Sequence, residues 1–241
     1  MFKRLQLSIL RLMEGFRQFL VGLGQGDLSS LSTTKTVPLD PATFSISLLA
    51  LFAKLAKSDG QISIDEVRCV RSIIMIDPED ERDASKFFDQ CGRNSSGFEA
   101  YARKIHKAIG RGHEADDLRE DVLDALFHVA LADGEFHPAK ECMIDEVAKV
   151  LQIDEFRMSR IKARHLPEAW DPHLILGVTQ NASKEELKIA WRCLVKKAHP
   201  DAVRARGLPR EMIKLSEERM ALINLAYAEL SRKTEALPVS S

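Results

Sequence analysis

Aromatic side chains make up only 6% of this 241-residue sequence, and β-branched runs that alternate with polar residues are hard to find. That scarcity argues against a sheet, because strands draw on β-branched and aromatic residues with a period of two. Cysteine is sparse as well. Cys69, Cys91, Cys142 and Cys193 lie far apart, form no Cys-x-x-Cys, and fall inside helical patterns rather than loops. They read as small apolar residues of a reducing compartment, not as a disulfide frame or a zinc site. No apolar run reaches the length of about 18 residues that a spanning helix needs, so none is expected. The N-terminus also lacks the compact apolar core and small-residue cleavage site of a secretory signal, and the expected location is cytoplasmic. Neither sign of charge dominates: 35 Lys and Arg face 36 Asp and Glu, which gives no reason to expect a nucleic-acid partner.

What the sequence does contain is Leu, Ala, Glu, Lys and Arg in nearly every segment, all good helix formers, so the predicted fold class is all-α. With 45% hydrophobic residues the chain can build one or two cores. Charge is distributed unevenly. Residues 1–38 carry five basic against two acidic side chains, residues 39–169 eighteen against twenty-five, and residues 170–241 twelve against nine. An acidic middle between two mildly basic ends predicts three units.

In residues 1–24, Phe2, Leu5, Ile9, Leu12, Met13, Phe16, Leu20 and Leu23 recur every three or four positions, with Lys3, Arg4, Arg11 and Arg17 off that stripe. The pattern predicts a basic amphipathic helix that docks on the protein's own body, on a second copy, or on a membrane surface. Residues 25–41, rich in Gly, Ser, Thr and Pro, read as a flexible linker. Residues 42–165 hold a weak internal repeat, AKSDGQISIDEVRCVRSIIMI at 56–76 and ALADGEFHPAKECMIDEVAKVLQI at 130–153. In each copy an apolar helix ends at Asp-Gly, where Gly60 or Gly134 can take the left-handed conformation, and Ile62 or Phe136 pins the turn. Ser63 with Glu66 then forms a capping box, and Pro138 suits a first helical turn.

This repeat resembles the TerB-like domain, an all-helical module named for tellurite-resistance proteins, over about half the chain. The resemblance makes Asp59, Glu66, Asp133 and Glu141 candidate metal ligands, with Lys140 standing where the second acid is expected and Glu141 one place later. Read as residues alone, the two aspartates are turn and cap groups. Neither a metal nor any other cofactor is expected.

In the last unit, residues 170–235, Ser183 and Glu186 form another capping box. Leu187, Ala190, Trp191, Leu194 and Ala198 share one helical face, and Lys188, Arg192, Lys196 and Lys197 form a basic stripe on another. Pro200 has no amide hydrogen and disfavours helical backbone at the residue before it, so this helix should finish about His199. A second helix from about Glu211 to Arg232 is predicted to turn Ile213, Met220, Ile223, Ala226, Tyr227 and Leu230 inward as an antiparallel partner. His199-Pro200-Asp201 then lies in the exposed connection.

Several segments at matching spacing, DPHLILGV from Asp171, ASKEELK from Ala182, AWRCL from Ala190, HPD at His199, and INLAYAELS from Ile223, resemble a J-domain. That is the module by which DnaJ-type co-chaperones engage the DnaK class of ATP-driven chaperones. A TerB-like unit followed by a J-domain resembles the DjlA type of co-chaperone, which lacks the Gly/Phe-rich and zinc regions of DnaJ. That type normally begins with a spanning segment. Here Arg11, Glu14 and Arg17 interrupt the apolar run, so the membrane link is reduced to peripheral attachment at the inner membrane or is lost.

The resemblance implies that the chain is not an enzyme but binds a DnaK-class partner and stimulates its ATP hydrolysis. His199, Pro200 and Asp201 would make the directional contacts, and Lys188, Arg192, Lys196 and Lys197 would draw in an acidic surface. Two rivals differ in class. HEADD, His113 to Asp117, contains metal-hydrolase ligand types, although no second His-Asp pair accompanies it and Asp116 or Asp117 reads as the cap of a helix starting near Leu118. The other rival is a TerB-type stress-sensing or scaffold protein with a non-functional J-domain.

Overall fold

The computed structural model describes residues 41–74, 76, 78–110, 113–205 and 210–236. The helix expected over residues 1–24 lies outside these residues, as does nearly all of the linker at 25–41. Among the described residues the chain is all-α, with eleven α-helices and no strand.

Helix α1 (Pro41–Lys57) is apolar nearly all round, and such a helix must be covered on every side. Phe44, Leu48, Leu51, Phe52 and Leu55 are each at most 2% exposed. Packed around α1 are α2 (Ile64–Ile73), α3 (Glu81–Cys91), α4 (Phe98–Ile109), α5 (His113–Ala130) and α6 (Pro138–Val150). Each large side chain sequestered in this core contributes on the order of 1.5–3 kcal/mol. Helix α7 (Glu155–His165) closes the bundle beside α5 and leads through a 3-10 turn at Pro167–Ala169 into the C-terminal unit.

The repeated turns form as the residue types require. Gly60 and Gly134 have φ of 107° and 84°, the left-handed region, and Ile62 and Phe136 pack against the core beyond them. Asp59 Oδ1 accepts from the Gln61 amide at 3.2 Å and Asp133 Oδ1 from the Glu135 amide at 3.1 Å, matching turns in the two copies. Ser63 and Glu66 close the predicted capping box at 3.0 and 2.8 Å. In the second copy the cap is His137, whose Nδ1 accepts from the Ala139 amide at 3.1 Å, ahead of Pro138.

The C-terminal unit consists of α8 (Pro172–Leu176), α9 (Lys184–Ala198), α10 (Pro200–Ala205) and α11 (Arg210–Ala236). Asp171 caps α8, and Gly177, with φ of 68°, ends it. Ile175, Leu176, Leu187, Ala198, Ile223, Ala226 and Leu230 form a second small core between α8, α9 and α11, joined by Ala163 from α7. Ile213 departs from its expected direction. It packs on the first core, because the N-terminal half of α11 extends past the hairpin and rests on α2 and α5.

Candidate functional site

Helix α9 is capped by Ser183, which shares its two bonds with Glu186. Trp191 orients the hairpin: its ring stacks on Tyr227 at 4.7 Å between centroids, and its Nε1 donates to Asn224 Oδ1 at 2.8 Å. The helix stops at Ala198, one residue before the proline's neighbour, as the clash of the pyrrolidine ring dictates.

His199 takes extended backbone, φ −65° and ψ 134°, and Pro200 opens the short helix α10, so the tripeptide is a helix-to-helix corner and not an irregular loop. The Asp201 amide donates to His199 Nδ1 at 3.2 Å, and the Ala202 amide donates to the His199 carbonyl at 2.9 Å. The imidazole therefore acts as a cap, as His137 does before Pro138. With Nδ1 accepting, the ring proton of the neutral form is assigned to Nε2, which leaves a donor at the far edge of the ring. The side chains of His199 and Asp201 remain 53% and 75% exposed. Imidazole, ring-locked backbone and carboxylate thus share one accessible corner.

Lys188, Arg192 and Lys196 lie exposed along α9 toward this corner. Lys197 is turned away from them. Its Nζ lies 3.5 Å from Asp117 Oδ1 on α5. The basic stripe consequently divides into three cations open to solvent and a fourth held against the helical bundle.

Asp117 begins a line of acids, Asp117, Glu120, Asp121 and Asp124, that follows helical spacing along α5. Glu120, Asp121 and Asp124 are at most 5% exposed. They are buried because cations from two other helices cover them. Arg160 Nη2 reaches both Glu120 oxygens at 2.8 Å, and Arg164 Nη2 and Nε reach Asp124 Oδ1 at 2.9 and 3.1 Å, with Nη2 also 3.0 Å from Oδ2. His165 Nε2 is 2.8 Å from Asp124 Oδ1, and from α11 Arg219 pairs with Asp121 and stands 3.7 Å from Asp124 Oδ2. Burial by itself would raise the Asp124 pKa, but Arg164, His165 and Arg219 outweigh it and hold the carboxyl below its ordinary value. Burial disfavours the charged form of Arg219, and Asp121 and Asp124 outweigh that in turn, raising its pKa. The C-terminal hairpin is thereby fastened to the bundle through buried charge. Sequence reasoning missed this cluster, although acids at 117, 120, 121 and 124 fall at helical spacing, and Arg160 and Arg164 one turn apart were a readable signal.

The HEADD segment does not behave as expected. Helix α5 starts at His113, so Asp116 and Asp117 lie within it and cap nothing. Asp116 instead accepts from Arg119 at 2.8 Å and Arg157 at 3.2 Å. The metal candidates also separate. Asp59, Glu66 and Asp133 converge, with oxygens all within 4.8 Å of one another, while Glu141 faces Lys162 at 2.8 Å. At the centre of the converging three is Lys140 Nζ, 3.0 Å from Asp59, 2.9 Å from Glu66 and 2.9 Å from Asp133. An ammonium group stands where a metal would have to be.

Comparison with known proteins identifies both units. Residues 45–163 match the family described as tellurite resistance protein TerB, and residues 171–236 match the DnaJ domain. The chain is thus a TerB domain followed by a DnaJ domain. It is similar to the co-chaperone protein DjlA of Vibrio cholerae, 26% identical over 226 residues that cover 79% of this chain and 78% of that protein. The DjlA proteins of Shewanella oneidensis and Coxiella burnetii are 26% and 24% identical over 194 and 199 residues, each match covering 74% of this chain and 73% of the relative. The chain is DjlA-like in organisation. No solved structure matches it significantly. Among the described residues, no helix is long and apolar enough to cross a membrane.

Proposed function

We propose that this chain is a J-domain co-chaperone that binds a DnaK-class chaperone and stimulates its ATP hydrolysis, with residues 170–235 as the working unit and residues 42–165 as a TerB-like body. The observation that carries this reading is the exposed His199-Pro200-Asp201 corner placed at the end of a helix face bearing Lys188, Arg192 and Lys196. The three cations attract an acidic surface over a range of about one Debye length and set the approach, an effect that weakens with salt. The corner then supplies short-range direction: Nε2 of His199 donates, and the Asp201 carboxylate accepts charge-assisted hydrogen bonds. Pro200 limits the backbone freedom lost on docking. Stimulation follows if the corner binds the hydrolysis-competent arrangement of the partner more tightly than the resting one. The chain itself performs no bond chemistry.

The setting is cytoplasmic, and residues 1–24 are the segment that would meet an inner-membrane surface or a second copy. Measuring the ATPase rate of a DnaK chaperone with the 241-residue chain and with its His199→Gln form tests the reading. Stimulation by the first and its loss by at least an order of magnitude in the second is the expected result, with the far-ultraviolet spectrum unchanged. Equal stimulation by both forms would overturn the assigned role of the corner. No stimulation by either form would favour a scaffold whose J-domain is inactive.

A further inference from the structure

The Asp59, Glu66 and Asp133 centre carries an inference that goes beyond co-chaperone activity. Glu66 stands seven residues after Asp59, and Lys140 stands seven residues after Asp133, so Lys140 occupies in the second copy the place that Glu66 holds in the first. The two halves of the repeat therefore deliver four side chains to one point, three carboxylates and one ammonium. We infer that Lys140 is a built-in replacement for a divalent cation, so that this TerB unit closes its centre without metal and becomes a divalent-cation site when residue 140 is glutamate.

The geometry supports this in three ways. First, the centre has the size of a hard cation's shell. Oxygens on opposite sides of a calcium ion lie about 4.6–5.2 Å apart, and the three carboxylate oxygens fall within 4.8 Å of one another. Second, the ammonium fills that shell. Its contacts of 2.9 to 3.0 Å with three carboxylates, and of 3.3 Å with the Ala130 carbonyl, use the inward-facing acceptors. Third, the charge is needed. The Glu66 side chain is 0% exposed and that of Lys140 1%, and a carboxylate so placed must have a counter-charge beside it. The second Glu66 carboxylate oxygen, Oε2, accepts from the Ser63 amide at 2.8 Å.

The test uses the 241-residue chain, its Lys140→Glu form and its Lys140→Gln form, each melted in EDTA and in millimolar calcium, magnesium or manganese chloride, with metal content measured after gel filtration. The wild-type chain is expected to melt at the same temperature in all conditions and to carry no stoichiometric metal. Lys140→Gln should melt about 10 °C lower in EDTA, because a buried carboxylate loses its partner, and should recover part of that loss in a divalent salt. Lys140→Glu should fall at least as far, recover more fully, and hold one ion per chain. Stoichiometric metal in the wild type, or a divalent-dependent rise in its melting temperature, would overturn the inference. So would Lys140→Gln melting like wild type in EDTA. If Lys140→Glu does not fold even with calcium, the absence of any divalent response in Lys140→Gln overturns it as well.

Discussion

Replacing Arg219 with methionine removes a cation from between two helices that come from different units. Arg219 on α11 is 8% exposed and lies against Asp121 and Asp124, themselves 3% and 5% exposed. Removing one member of a buried pair leaves charge without compensation, at a typical cost of 3–5 kcal/mol. Asp124 keeps Arg164 and His165, so the lower end, about 3 kcal/mol, is expected here. For a chain of this size that corresponds to a fall in melting temperature of roughly 6–12 °C. The loss should not be uniform. Both tryptophans, Trp170 and Trp191, pack on the small C-terminal core, so their fluorescence reports on the hairpin alone. Far-ultraviolet circular dichroism reports on all the helices. In urea the two probes should give one coincident transition for the wild type, because the charged interface couples the units. In Arg219→Met the fluorescence transition should move to lower urea and separate from the other. Adding Asp121→Asn to Arg219→Met should return part of the lost stability, since the buried charge that faced Arg219 is gone. A shift of less than 1 kcal/mol, with the probes still coincident, would refute the view that buried charge holds the hairpin in place.

Three further outcomes follow from the same geometry. Arg192→Glu, on the exposed face of α9, should slow association with a DnaK chaperone about five-fold at low salt, with the difference closing as salt rises; Lys197→Ala should matter less, since Lys197 faces Asp117, and stopped-flow binding separates the two. Ser183→Ala removes the Oγ that accepts from the Glu186 amide, leaves the Ser183 amide bonded to Glu186 Oε2, and should cost about 1 kcal/mol by urea unfolding, read from tryptophan fluorescence. Asp124 has a lower pKa folded than unfolded, so its contribution is present above the unfolded value of about 4 and is lost as pH falls through the folded one. Acid unfolding of the wild type should accordingly be steeper between about pH 5 and 2 than that of Asp124→Asn, and identical slopes would remove Asp124 from the account.

Much of the local architecture could be read directly from residue types, because it depends on near neighbours in the chain. The Ser63 and Ser183 caps, the left-handed Gly60 and Gly134, and the stop imposed by Pro200 each follow from the stereochemistry of a few consecutive residues. The helical faces of α9 were equally legible, since a period of 3.6 fixes which side chains share a side. The motif that carries the proposed function is of this kind. It lies at a solvent-exposed corner whose shape is set by His199, Pro200 and the amide of Asp201.

Which faces meet was not written in any such period. The outer acids of α5 resemble a solvated stripe until Arg160, Arg164 and Arg219, from 40 to nearly 100 positions away in sequence, are brought over them. Likewise Lys140 looks like a departure from a repeat until three carboxylates are seen around it. Composition and periodicity determined that the chain is helical and where its helices turn. Tertiary packing decided which charges are buried, because the partner that compensates a buried charge is chosen by proximity in space and not along the chain.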